Sequence, residues 1–234
     1  MQDNLGDRMK GYESIPRTTL YRRMPVIIRI DGKAFHTFCK SAKKPFDDRI
    51  KDAMVATGKE LVKTVQNCKD AYTQSDEISL LLIDYENIET DAWFDNDLQK
   101  IASVSSSIAT MAFNKNIDES YSDKWALFDA RVWNLPREEV TNYFLWRQQD
   151  CRRNSVSQTA RSLFSHKQLH AKKTQEMKDM MLSKGTSWDM DINEGYRNGW
   201  LITKECVVAA PLIKENRNCI EQYVSPDEAK EALF

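Results

Sequence analysis

The run Pro25-Val-Ile-Ile-Arg-Ile30 is short, apolar and β-branched, and it stops at Asp31-Gly32. Such a run reads as a strand that delivers an aspartate into a tight turn at its C-terminal end. A helical segment follows. Between Asp47 and Val65 the residues Ile50, Met54, Leu61 and Val65 recur on one helical face, and Phe46-Asp47-Asp48 offers acidic residues for the N-terminal cap. Two β-rich runs between Asp70 and Ile83 then flank Ser75-Asp76-Glu77, the pattern of a hairpin or a bulged strand pair. The intervening chain is long enough for a crossover helix that returns the second strand beside the first. Asp31 and the Asp76-Glu77 pair are then expected to face each other.

Beyond the hairpin, Asp84 to Asp97 holds six acids (Asp84, Glu86, Glu89, Asp91, Asp95 and Asp97) and no base, which predicts a solvated, weakly ordered loop. A helix resumes near Leu98, with Ile101, Ser105, Ile108 and Ala112 forming a face suited to packing on a sheet. Phe128 to Trp133 reads as a further strand, and Arg137 to Trp146, after Pro136, as a helix. Strand, helix, hairpin, helix, strand, helix is an α+β order, with helices on one face of a largely antiparallel sheet. Seven glycines and six prolines, with no repeat or low-complexity stretch, argue for one continuous unit.

Composition narrows the function classes. With 34 Lys+Arg against 35 Asp+Glu, the chain is neither a basic nucleic-acid tail nor an acidic disordered segment. No apolar run reaches the roughly 18 residues that cross a bilayer, and Met1 to Lys10 is too charged for a signal peptide, so a cytoplasmic protein without a membrane partner is expected. The five cysteines are odd in number and form no C-x-x-C pair, and His166 and His170 lack the glutamate of a zinc-protease helix. A metal, if bound, falls to carboxylates.

Asp31, the Gly32 carbonyl and Asp76 could form such a clamp, because Mg²⁺ takes hard oxygen ligands and commonly one or two carboxylates plus substrate phosphates. On pattern alone Asp31-Gly32 reads first as a turn, and Asp76-Glu77 as an exposed hairpin tip. A second cluster lies between Arg147 and Lys173, where Arg147, Arg152, Arg153, Arg161, Lys167, Lys172 and Lys173 oppose the single acid Asp150. It reads either as a phosphate-binding surface or as a solvated helix face.

Taken in order, Arg29-Ile-Asp-Gly-Lys-Ala-Phe-His36, Lys44-Pro45, Gln74-Ser-Asp-Glu-Ile-Ser79, Phe128-Asp-Ala-Arg-Val132 and Trp146-Arg-Gln-Gln-Asp-Cys151 resemble the tRNA-histidine guanylyltransferase family. The resemblance spans roughly residues 20 to 205. It implies a palm-like core similar to those of polymerases and nucleotidyl cyclases, within residues 1–140. It also implies a helical and strand extension over residues 141–234 for tRNA and oligomer contacts, the two forming one continuous structure. Family members activate the 5′ end of RNA with ATP or GTP, then let the 3′-hydroxyl of an incoming nucleotide attack it.

Carried over by position, Asp31, Gly32 and Asp76 would hold two Mg²⁺ ions, with Glu77 beside them as a catalytic residue. Lys33, Ala34, Phe35, His36, Lys44 and Ser75 would contact the nucleotide, together with Lys100 as a triphosphate contact. Arg29, Arg131, Arg152, Arg153 and Asn154 would contact the 5′ end and acceptor stem of tRNA. The run Arg152-Arg153-Asn154-Ser155 resembles the bacterial and archaeal branch rather than the eukaryotic one, which carries a His followed by two asparagines. It implies templated 3′-to-5′ addition in tRNA 5′-end repair. Alternatives are addition of a single G to histidine tRNA, a non-catalytic RNA-binding relative, and a cyclase-like enzyme. The resemblance further implies a homotetramer. Lys184-Gly-Thr-Ser-Trp188 and Tyr196-Arg-Asn-Gly-Trp200 match later family blocks, with Tyr196, Arg197 and Gly199 expected in a strand-edge turn, and residues after about 205 read as a variable tail.

Overall fold

The computed structural model describes residues 4–213. In chain order its elements are α1 (Leu5–Ser14), β1 (Val26–Gly32), α2 (Phe35–Phe38), α3 (Asp48–Thr64), β2 (Cys68–Gln74), β3 (Glu77–Leu82), α4 (Leu98–Asn116), β4 (Phe128–Asn134), α5 (Val140–Leu163), α6 (His166–Leu169), α7 (Thr174–Ser183), α8 (Trp188–Asp191), α9 (Glu194–Asn198), β5 (Trp200–Ile202) and β6 (Val207–Ala209). The six strands form one sheet in the order β4-β1-β3-β2-β5-β6. Every neighbouring pair is antiparallel. The α+β fold with its antiparallel sheet is as the residue pattern predicts, and the crossover through α3 does bring β3 beside β1.

Strand alternation sorts the apolar residues of β1 and β3 between two layers. Val26, Ile28 and Ile30, with Ile78, Leu80 and Leu82, join Met54 and Leu61 of α3 and Ile101 and Phe113 of α4 in the main core. Ile27 and Leu81 point the other way and pack with Tyr72 against Tyr143 and Phe144 of α5. The expectation of helices on one face therefore needs correction. The first turns of α5 cover part of the second face, and β3, buried at every position, is apolar on both sides for that reason.

Three further expectations change. Helix α5 runs for 24 residues to Leu163 rather than stopping at Trp146, and its second half packs through Val156 and Ala160 on Leu169, Met181 and Trp188. The acidic loop is anchored rather than simply solvated. Asp84 accepts from the Arg23 amide and from Arg22 Nε, and Asp97 caps α4 while pairing with Arg17 at 2.8 Å. The partners of these two acids lie far upstream, where local composition cannot show them. Finally, the chain beyond 205 is not all tail: β6 pairs with β5, and Gln148 holds the Ile213 amide and the Pro211 carbonyl. Residues 214–234 of that expected tail lie outside the described residues.

Asp70 of β2 gives a stability test. Burial raises its pKa to about 7 against the opposing charges of Lys69 and Lys204. The folded chain thus retains a proton that the unfolded chain has already released, across the window from about 4 to about 7. The Asp70 contribution is complete below that window and is lost as pH rises through it. Asp70→Asn should therefore stabilise the fold by an increment that grows between pH 5 and pH 8, to on the order of 2 kcal/mol. Thermal unfolding of both chains at the two pH values checks this, and a constant increment would contradict it.

Candidate functional site

Because residues paired across an antiparallel sheet share a face, the end of β1 assembles two polar rows. Asp31 lies between Glu77 of β3 and Asp129 of β4, which makes a line of three carboxylates. Two pairs further in, on the same face, Arg29 lies between Ser79 and Arg131. Both rows are on the face that α5 covers, since Ile27 of the same parity packs under Tyr143 and Phe144.

Gln74 and Glu77 are paired, so Ser75 and Asp76 form a two-residue hairpin turn, with Ser75 at φ 53°. The turn docks on the end of β1, where the Gly32 amide donates to the Asp76 carbonyl at 3.1 Å. Burial raises the pKa of the Asp76 carboxyl, and the charge of Asp31 raises it further, while hydrogen bonds from its own backbone and from Ser75 act in opposition. Burial also raises Glu77, to about 7, against the favourable charges of Arg147 and Arg29. Glu77 Oε2 lies 3.4 Å from Arg147 Nη1, whereas its buried Oε1 has no hydrogen-bond partner. Arg147, only 5% exposed, also grips Asp150 at 2.8 Å and lies 3.8 Å from the Trp146 ring centroid.

The loop after β1 is shaped by close packing. A Cβ at Gly32 would come within 2.4 Å of the Phe35 ring, so only glycine fits there. The Lys33 amide donates to the Leu127 carbonyl at 2.8 Å, and Ala34 adopts φ 50° before α2 begins. Lys33, Ala34 and His36 are exposed. Phe35 is not: its ring stacks on Phe38 and meets Phe113, both in the core, so the expected nucleotide contact could come only from its backbone. The half-buried Cys39 thiol reports what surrounds it. Burial and then the charge of Asp76 push it up to about 12, while Lys44 and Lys124 pull it down. Asp76 and Lys44 thus both act electrostatically on the one cysteine, with opposite sign.

Other predicted residues separate. Lys100 is exposed in the first turn of α4, at the end tied to Thr18. It is Thr110, about 15 Å of helix further on, that bonds Phe128 beside Gly32. Within one chain, therefore, Lys100 is not brought to the carboxylates, because the helix axis carries it to the opposite end of the sheet. The basic cluster also divides. Arg147 is buried beneath Glu77, and Arg152 is turned onto Asn198 at 2.5 Å and over the Trp188 ring. Arg153 and Asn154 are exposed, and both bond Asp150. Arg131 is exposed and lies 3.7 Å from Asp129. Tyr196 and Arg197 belong to α9, and only Gly199, at φ 85°, makes the turn into β5.

Sequence reasoning missed Asp129, Lys124 and the inward role of Arg147. Asp129 was within reach, since its register in the Phe128–Val132 strand places it opposite Asp31. A buried Glu77 likewise called for a cation. Chemically, the site offers hard oxygen donors beside exposed lysines. The like-charge pair Asp31–Asp76 and the unpartnered Glu77 Oε1 suit a divalent cation. Among the described residues no three His, Cys, Asp or Glu side chains form a ready cage, which is compatible with the sparse protein ligation of Mg²⁺.

Comparison with known proteins gives this geometry a context. The family model described as tRNAHis guanylyltransferase matches residues 6–136. A solved bacterial tRNA(His) guanylyltransferase-like protein in complex with ATP is similar at a TM-score of 0.89 and 45% identity, over 94% of this chain and 99% of that one. A complex with GTP carrying the same description gives 0.79 and 40% over the same shares. An uncharacterized protein of Acanthamoeba polyphaga mimivirus is 29% identical over 70% of this chain and 64% of its own length. A probable tRNA(His) guanylyltransferase of Drosophila melanogaster is 33% identical over 58% of this chain and 48% of its own. The chain thus spans less than two thirds of these two relatives. Given a family match over more than half of its residues and a solved relative aligned along nearly all of it, this chain belongs to the tRNAHis guanylyltransferase family.

Proposed function

We propose that the chain adds nucleotides to the 5′ end of tRNA in the 3′-to-5′ direction, directed by the opposing base, as a 5′-end repair enzyme. One observation carries most weight: the Asp76 turn docks on Gly32, and the charge of Asp31 bears on the Asp76 carboxyl, which supports the pair as a shared cation site. The ATP and GTP complexes of bacterial relatives support nucleoside triphosphates as substrates.

In this reading a 5′-phosphate oxygen of the RNA attacks the α-phosphorus of ATP or GTP and releases pyrophosphate. The 3′-hydroxyl of an incoming nucleotide then attacks the activated 5′ phosphorus, and the nucleoside monophosphate leaves. Such transfers need positioning and charge neutralisation more than covalent help from protein. Asp31, the Gly32 carbonyl and Asp76 would hold two Mg²⁺ ions, which when bound neutralise phosphate charge and activate the attacking oxygen. Lys33, Lys44 and Ser75, with the backbone of Ala34 to His36, bind the nucleotide. Arg29 and Arg131 meet the 5′ end, and Arg153 and Asn154 bind the tRNA beyond it. Residues 1–140 form the catalytic core and 141–234 the RNA-binding part, in a cytoplasmic homotetramer. Arg152-Arg153-Asn154-Ser155 favours templated addition, and addition of a single G to histidine tRNA is the second reading.

The test incubates the protein with Mg²⁺, ATP, labelled GTP and a 5′-monophosphorylated tRNA lacking its first nucleotide, with C or A opposite the gap. Addition opposite C alone is the expected result. Equal addition opposite both bases would support the single-G reading, and none with either would overturn the proposal.

A further inference from the structure

Tyr196 lies far from Lys44 in sequence yet is packed against the segment that carries it. Its ring stacks on Phe46 with centroids 4.3 Å apart and planes 12° from parallel, and its hydroxyl donates to Asp48 Oδ1 at 2.6 Å. The platform behind the ring is firm. Trp200 meets Tyr196 edge-on at 5.0 Å, and Gly195 leaves room for that indole, since a Cβ there would come within 2.4 Å of it. The neighbouring Asn198 ties α9 to the sheet and to α5, its carbonyl accepting from the Tyr72 hydroxyl at 2.8 Å and its side chain accepting from Arg152.

On its inner side the same segment is held by Asp47. The Asp47 carboxylate accepts from the Lys43 amide at 2.9 Å, from Arg49 and from the Tyr121 hydroxyl. Lys43 to Asp48 is therefore clamped between Tyr121 and Arg49 within and Tyr196 without. Lys44 lies exposed between the two clamps.

We propose that Tyr196 is a positioning residue, which holds the Lys43–Asp48 segment through Phe46 and Asp48 so that Lys44 meets the phosphates of the bound nucleotide. This inference rests on the nucleotide-binding role assigned to Lys44 above. It gives the carboxyl-terminal part of the chain a task at the nucleotide site as well as at the RNA. The stack and the hydrogen bond together hold the segment, so their loss is large enough to read in affinity.

The experiment measures ATP affinity of the full chain by titration calorimetry for Tyr196→Leu, Lys44→Ala and the double variant. Tyr196→Leu is expected to weaken ATP binding about tenfold and Tyr196→Phe, which keeps the stack, about threefold or less. In the Lys44→Ala background Tyr196→Leu is expected to add nothing, because non-additivity marks residues that act through one another. An equal loss in both backgrounds, or none in either, overturns the positioning role and leaves the functional proposal standing. If Tyr196→Leu does not fold, Tyr196→Phe and Asp48→Ala carry the same cycle by removing the hydrogen bond from either side. Failure of the unaltered chain to bind ATP overturns both readings. ATP binding without nucleotide addition to any tRNA overturns only the functional one.

Discussion

Asp76→Ala is expected to lower nucleotide addition by at least about a thousandfold, since charge stabilisation at a transferring phosphoryl group commonly supplies most of the rate acceleration. The same variant should keep RNA binding, because the basic residues proposed to meet RNA lie on β1, β4 and α5. It should also keep the fold. The bond from the Gly32 amide uses the Asp76 backbone carbonyl, which survives the substitution. What is lost is a carboxylate whose ionisation is opposed by burial and by Asp31. Removing one of two close like charges relieves repulsion, so the unfolding temperature should hold steady or rise. Primer-extension activity, RNA affinity and thermal unfolding together decide the matter. A variant that loses RNA binding and stability along with activity would mark Asp76 as structural.

Arg147→Met is expected to be the most destabilising single change at this site. Arg147 is almost wholly buried and holds both Glu77 and Asp150, so its removal leaves Glu77 buried beside Asp31 with only the weaker charge of Arg29 in compensation. Breaking a buried pair from one side typically costs about 3 to 5 kcal/mol. In a chain of this length that lowers the unfolding temperature by roughly 10 °C. Adding Glu77→Gln to Arg147→Met should restore more than half of the loss, because the amide needs no counter-charge. Thermal unfolding of the two variants checks this, and a second substitution that deepens the loss would refute the account of Arg147 as the counter-ion of Glu77.

Much of this architecture is visible in single residues. The β-branched run before Asp31 and the acid-capped, amphipathic α3 specify their own elements through local pattern, whereas the hairpin read around Ser75-Asp76-Glu77 turns at Ser75-Asp76 alone and buries Glu77 in β3 rather than exposing it at the tip. What remained hidden depends on partners remote in sequence. Asp84 looks like any solvated acid until Arg22 and Arg23 close on it, and Arg147 looks like one of seven surface cations until β3 lies beneath it. Phe35 sits inside a motif that resembles a nucleotide loop, yet its aromatic ring follows the ordinary preference for the core. Lys100 follows the acidic loop in sequence, and the length of α4 holds it away from the carboxylates within one chain.

The two-residue turn between Gln74 and Glu77 has a consequence for how such chains tolerate changes in length. Side chains alternate across the sheet, so one residue inserted after Gln74 and absorbed into β3 would turn Glu77 from Arg147 towards the hydrocarbon between sheet and α3, and would displace Asp76 from Gly32. The exposed stretch from Glu86 to Asp91 joins the same strand to α4 without touching that register. Insertions and deletions should therefore accumulate in the acidic loop and be purged from the hairpin, and a library of single-codon insertions selected for activity would record the loop as open and the turn as closed.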